Sequence, residues 1–156
     1  MNCVHFPYLR FVKMVETATY WLKFMSFRRV MNFVGLVFSY YTSRIIKKSI
    51  PLGLPFHVSM EPTTACNLGC PECPSGLKEF TRPTGKMELV RHEKWLKELS
   101  KTVFYVTYYF QGEPFLNPRF LEMIKAAKRY RMFTATSTNA HFITEDNAEE
   151  VVRSGL

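Results

Sequence analysis

HVSMEPTTACNLGCPECP, residues 57 to 74, runs from a short strand-like stretch straight into a loop that carries Cys66, Cys70 and Cys73. HVSME alternates as a strand should, and Pro62, Pro71, Pro74 and Gly69 then break any regular structure. A loop of this kind can wrap three sulfurs round one centre, which a regular strand or helix cannot. Cys3 is the one other cysteine, so the thiols are too few for a disulfide scaffold, and no signal peptide with a small-residue cleavage site is visible. The cytoplasm is the expected compartment, and thiols grouped in a reducing compartment point to a metal.

Downstream of the loop, strand and helix patterns alternate. VFYVTYYF (103 to 110) and FTATSTNA (133 to 140) read as two more strands. ELVRHEKWLKEL (88 to 99) reads as an amphipathic helix with Leu89, Leu96 and Leu99 on one face. A second helix is expected from an Asn117 cap and Pro118 at its first position, with Phe120, Leu121, Ile124 and Ala127 as its apolar stripe. A third starts after Thr144, with Glu145 and Asp146 in its first turn, and stops around Gly155. The class is α/β. Successive βα units imply parallel strands whose carboxyl ends share one edge, where ligands gather in such folds. The sequences that follow the strands are therefore informative: EPTTACNLGCPECP, QGEPFLNP and STNAHFIT.

Upstream the composition changes. The net charge of +8 is concentrated in residues 1–50, where Arg10, Lys13, Lys23, Arg28, Arg29, Arg44, Lys47 and Lys48 face the single acid Glu16. A boundary near Pro51 separates this basic, aromatic extension (1–50) from the main domain (51–156). The extension reads as helical from about Val12 to Ile46. Its most apolar run, VMNFVGLVFSYY (30 to 41), is shorter than the roughly 20 apolar residues a bilayer span needs. Two readings stay open: a helix lying on an anionic membrane surface, or a helix packed against the main domain. Specific nucleic-acid binding is not expected, because no recognition motif accompanies the charge.

The three thiols admit more than one centre. A Cys3His zinc site could recruit His57, His92 or His141. A 4Fe-4S cluster held by three cysteines leaves one iron open to a small molecule, which accounts for the absent fourth thiol. CNLGCPEC, QGEP and STNA, in that order at successive strand ends, resemble the radical S-adenosylmethionine (SAM) enzymes from about Phe56 to Leu156. The resemblance implies that Cys66, Cys70 and Cys73 hold a 4Fe-4S cluster whose open iron is chelated by SAM. It implies reductive cleavage of SAM to a 5'-deoxyadenosyl radical that abstracts hydrogen from a substrate, and it assigns no catalytic side chain beyond the residues that hold the cluster and cofactor. Gln111, Gly112, Glu113 and Pro114 would receive the methionyl ammonium, with Glu113 and backbone carbonyls as acceptors. Ser137 and Asn139 would approach the ribose or carboxylate.

Two positions depart from the family pattern: Glu72 stands where an aromatic residue often contacts adenine, and Gln111 replaces the first glycine of the usual GGEP loop. The Cys-Pro-x-Cys-Pro arrangement is familiar among SPASM-type members with cysteine-rich C-terminal extensions. The resemblance further implies the first three βα units of a partial (β/α)6 TIM-like barrel, so a fragment of a longer protein is expected. Its implied partners are a peptide or small-molecule substrate and a reductant such as flavodoxin or ferredoxin. The alternative from a different class is an iron-sulfur electron carrier or redox sensor that does not cleave SAM.

Overall fold

Three runs rich in β-branched and aromatic residues pair side by side as β1 (His57–Ser59), β2 (Tyr105–Tyr108) and β3 (Phe133–Thr136). The sheet is parallel in the order β1-β2-β3, with Val58 opposite Val106 and Val106 opposite Thr134. All three carboxyl ends therefore lie on one edge, as the alternation of elements implies. The structure, a computed structural model, describes residues 19–156. Its helices are α1 (Phe27–Ile46), α2 (Pro74–Leu77), α3 (Leu89–Leu99), α4 (Phe120–Arg129) and α5 (Glu145–Ser154), with a 3-10 turn at Pro114–Leu116.

The core forms where β2 meets α3 and α4. Val106 and Tyr108 from the strand, Leu96 from α3, and Phe120, Met123 and Ile124 from α4 are buried together. Thr107, on the other face of β2, is buried as well, with His57 Nε2 of the neighbouring strand 3.0 Å from its Oγ1. Leu89 and Leu99 pack against this cluster from the α3 face that the sequence assigns to it.

Each strand is shorter than its sequence pattern. β1 keeps one further ladder bond, Met60 N to Thr107 O at 2.9 Å, before Pro62, which has no N–H to give, ends the pairing. β2 turns away at Gly112, whose φ is +79°. β3 ends where Thr138 and Asn139 offer their own backbone a substitute: Ala140 N donates to Thr138 Oγ1 at 3.0 Å and His141 N to Asn139 Oδ1 at 3.1 Å.

The start of α4 also differs from expectation. Asn117 is buried, and its amide donates to Pro62 O (2.8 Å) and Met87 O (3.0 Å), so it is drawn inward as a tether. Its Oδ1 still accepts from Arg119 N at 2.9 Å, but the helix proper begins at Phe120. Thr144 behaves as expected: it is the N-cap of α5, Asn147 Oδ1 accepts from its N–H at 2.9 Å, and Gly155 closes the helix at φ +100°.

The extension is not one unbroken helix. Residues 12–18 lie outside the described part; a helical turn through residue 22 breaks at 23–26, and α1 begins at Phe27 behind the Ser26 cap. Trp21 and Phe24 lie against Phe133, and Trp21 also against Phe104 and Tyr105, at the amino ends of β2 and β3. Arg29, 4% exposed, donates to Ser100 O (2.9 Å), Tyr130 O (2.9 Å) and Arg131 O (2.6 Å). These carbonyls sit at the carboxyl ends of α3 and α4, where the peptide dipoles favour a cation. Among the described residues, no helix is long and apolar enough to cross a membrane.

His92 gives this core a pH dependence. Its Nε2 lies 2.7 Å from Tyr108 Oη, its Nδ1 has no partner, and burial, weakly opposed by Glu93, pulls its pKa from 6.5 down to about 4. The unfolded chain therefore takes up a proton that the native state refuses. The stability involved is complete above about pH 6.5 and is lost as pH falls towards 4, amounting to as much as ~3 kcal/mol. Urea denaturation across that window should show the loss, and His92→Gln should flatten it.

Candidate functional site

Three loops meet at the carboxyl edge of the sheet, and Glu113 is where they join. It is 2% exposed; one carboxylate oxygen accepts from Phe115 N (3.1 Å) and Thr138 Oγ1 (2.7 Å), the other from Asn139 N (2.8 Å). Its own N–H donates to Ala65 O in the cysteine loop at 2.7 Å. Gly112 makes this approach feasible: a Cβ there would lie 2.2 Å from Thr63 O, on a backbone already at positive φ.

The same loops are linked by side chains that the sequence reading passes over. Ser75 Oγ accepts from Gly112 N (2.9 Å) and donates to Gln111 Oε1 (2.9 Å), which lies 3.6 Å from Cys73 Sγ. Asn139 Nδ2 donates to Asn67 Oδ1 (2.8 Å), and Asn67 in turn pairs with His141 Nδ1 (3.0 Å). Asn67 directly follows Cys66 and Ser75 stands two residues after Cys73, the one signal that could have drawn attention to them. Thr138, between Ser137 and Asn139, is the hydroxyl that bonds Glu113, and nothing local marks it as that partner. Pro114 is buried and opens the 3-10 turn. Ser137 is exposed and takes no part in these bonds.

Cys66, Cys70 and Cys73 are free thiols, Cys70 exposed and the other two half-buried. The loop is tightly wound where α2 begins, since a Cβ on Gly76 would fall 2.5 Å from Cys70 N and O. Backbone N–H groups of Gly76 and then Ser75 lower the Cys73 pKa and favour its thiolate, the form that binds metals. Among the described residues, no three His, Cys, Asp or Glu side chains are already gathered as a metal site. The histidines considered for zinc have other partners: His57 pairs with Thr107, His92 with Tyr108 and His141 with Asn67. Beside the cysteines runs a cleft of about 730 Å³ that Cys66, Ser75, Phe80, Lys78 and Lys86 help to line. Phe80 brings an aromatic ring to this cleft, whereas Glu72 is exposed.

The family model described as the Radical SAM superfamily matches residues 60–156. The chain belongs to this superfamily. Its relatives include the PqqA peptide cyclase of Bradyrhizobium diazoefficiens, 29% identical over 104 residues that make up 67% of this chain and 27% of that protein. Another is the tungsten-containing aldehyde ferredoxin oxidoreductase cofactor-modifying protein of Pyrococcus furiosus, 28% identical over 102 residues, covering 64% of this chain and 28% of the relative. The chain thus spans just over a quarter of these curated relatives. Among solved structures, BtrN in complex with AdoMet and 2-DOIA matches with a TM-score of 0.59 at 23% identity, over 66% of this chain and 43% of that one. Streptococcus suis SuiB bound to S-adenosylmethionine matches with a TM-score of 0.53 at 21% identity, over 71% of this chain and 25% of its own. At these identities the likeness concerns the fold.

Radical SAM proteins are enzymes that use a 4Fe-4S cluster and SAM, and the residues present fit both. The donor set is three soft thiols on one loop, one of them biased towards thiolate. Residues 66–73 themselves carry no helix or strand, and a four-residue helix starts after Cys73, so the sulfurs can converge without breaking a strand. Backbone and amide groups of residues 111–113 and 139 border the same loop.

If Glu113 holds the rim together, Glu113→Ala should cost about 3 kcal/mol in urea denaturation, since it leaves three half-buried donors without their charged acceptor. Ser137→Ala, on the same rim but exposed, should stay within about 0.5 kcal/mol. Equal effects of the two substitutions would contradict the role of Glu113.

Proposed function

We propose that this chain forms the cluster- and SAM-binding part of a radical SAM enzyme. When bound and reduced, the 4Fe-4S cluster supplies the electron that cleaves SAM to methionine and a 5'-deoxyadenosyl radical, which abstracts hydrogen from the substrate. Cys66, Cys70 and Cys73 are the proposed ligands, leaving one iron for the cofactor. What carries the reading is the convergence of their loop with Gln111–Pro114 and Asn139 at one buried residue, Glu113, whose N–H bonds the cysteine loop and whose carboxylate bonds Thr138 and Asn139.

Gln111, Gly112, Glu113 and Pro114 are proposed to receive the methionyl ammonium, with backbone carbonyls and Glu113 as acceptors; three donors hold the carboxylate, which leaves one of its roughly four lone-pair sites. Ser137 and Asn139 are proposed to bond the ribose or carboxylate of SAM, hydroxyl and amide being able to donate or accept. In this reading β1 to β3 are the first three units of a (β/α)6 barrel, residues 51–156 being the domain and residues 1–50 its extension. A peptide substrate is supported by the similarity to PqqA peptide cyclases, with a small molecule as the other class. Flavodoxin or ferredoxin in a reducing cytoplasm would supply the electron.

Anaerobic reconstitution followed by iron and sulfide analysis tests the ligand set. The account expects about four irons per chain, unchanged in Cys3→Ala and lost in Cys66→Ala, Cys70→Ala and Cys73→Ala taken singly. Zinc without sulfide, or iron that survives all three substitutions, would overturn it.

A further inference from the structure

α1 is mounted inside out. Its polar and small positions face the protein: Arg29 is buried under α3 and α4, Asn32 exchanges two hydrogen bonds with Leu54 (2.7 and 2.8 Å), Ser39 donates to Ile50 O, and Ser43 accepts from Ile50 N at 3.0 Å. Phe27, Met31, Val34, Phe38, Tyr41 and Ile45 point the other way and are 52% to 82% exposed. Their 4-3-4-3-4 spacing makes one continuous stripe along a helix about 30 Å long. Val30 and Val37, both exposed, widen it to an arc of about 120° that contains no charge. Leaving such an arc in water forfeits the favourable burial of every one of these side chains, so a partner is expected to cover it.

Charge says what kind of partner. No Asp or Glu occurs between residues 17 and 60, while Arg28 at one end of the stripe and Arg44, Lys47 and Lys48 at the other are exposed cations. Two copies packed stripe to stripe would set cations against cations with no acid to offset them. The superfamily match starts at residue 60, so the helix also stands outside the domain that family members share. No described helix is long and apolar enough to span a bilayer, whereas a one-sided apolar helix with cationic ends suits its surface.

We propose that the exposed stripe of α1 lies in the surface of an anionic lipid bilayer, with its apolar side chains among the acyl chains and Arg28, Arg44, Lys47 and Lys48 at the headgroup phosphates. Arg29 then fixes the catalytic domain to the anchored helix, and the carboxyl rim of the sheet stays open on the far side from the amino ends that Trp21 and Phe24 cover.

The test is co-sedimentation of the full chain, with no need of iron or SAM, so its outcome is independent of the proposed chemistry. Vesicles of phosphatidylcholine and phosphatidylglycerol at roughly two to one should bind the chain, and phosphatidylcholine alone should bind it at least about tenfold more weakly. Salt should weaken the anionic binding. Phe38→Glu should reduce it by about tenfold or more with the far-ultraviolet circular dichroism unchanged, because the side chain is already exposed. Val90→Glu, at an apolar residue on α3 that is more exposed than Phe38, should leave it intact. Equal binding to both vesicles, no binding to either, or insensitivity to Phe38→Glu would overturn the proposal. So would a concentration-dependent dimer, without vesicle binding, that Phe38→Glu dissolves.

Discussion

Glu113 is the residue at which the loops after β1, β2 and β3 meet: its N–H donates to Ala65 O in the first, and its carboxylate accepts from Phe115 in the second and from Thr138 and Asn139 in the third. A parallel sheet delivers its loops to a common edge, but it does not set their positions relative to one another. Loops are the least constrained part of such a fold, and a site built from three of them needs a shared fixed point. A carboxylate serves better than a neutral group, because hydrogen bonds to a charged acceptor in a low-dielectric interior are shorter and stronger. Gly112 complements it by letting the backbone of the second loop rest on carbonyls of the first. With these in place, the cysteine loop, Gln111 and Asn139 form one rim.

The opposite end of the sheet is closed by different physics. There Arg29 gathers carbonyls from the carboxyl ends of two helices, and Trp21 and Phe24 cover the first residues of β2 and β3. A buried guanidinium has five donors and no acceptor, so it fits a place where several helix carbonyls lack partners. One edge is thus sealed and structural, while the other presents thiols, amides and backbone groups suited to a cofactor. The extension contributes to the sealed edge with one side of its helix and leaves the other side uncovered.

Much of this is legible in the residues. Alternating strand and helix patterns are enough to give parallel order and a common carboxyl edge, and Thr144 and Gly155 mark the ends of α5 because capping is local. The cysteines and the GEP loop announce themselves by spacing. What Glu113 does is not legible, since its partners Thr138 and Asn139 stand 25 and 26 residues away and become neighbours only after β3 is in place. An acid beside a glycine reads naturally as a receptor for an ammonium group, and nothing local shows that folding also makes it the acceptor for two residues of the third loop. Asn117 reads as a cap for the same reason, its non-local partners Pro62 and Met87 being invisible in sequence. The periodicity of α1 identifies an apolar face but carries no sign: burial of Arg29 and the bonds of Asn32, Ser39 and Ser43 turn that face outward.

The central claim is that this rim binds a cluster with an iron open to SAM. An electron paramagnetic resonance spectrum of the anaerobically reconstituted, dithionite-reduced chain, recorded with and without SAM, tests it most directly. The account predicts a reduced 4Fe-4S signal whose g values shift when SAM is added, because the cofactor becomes a ligand of the cluster. A cluster signal indifferent to SAM would contradict the account and leave an electron carrier in its place.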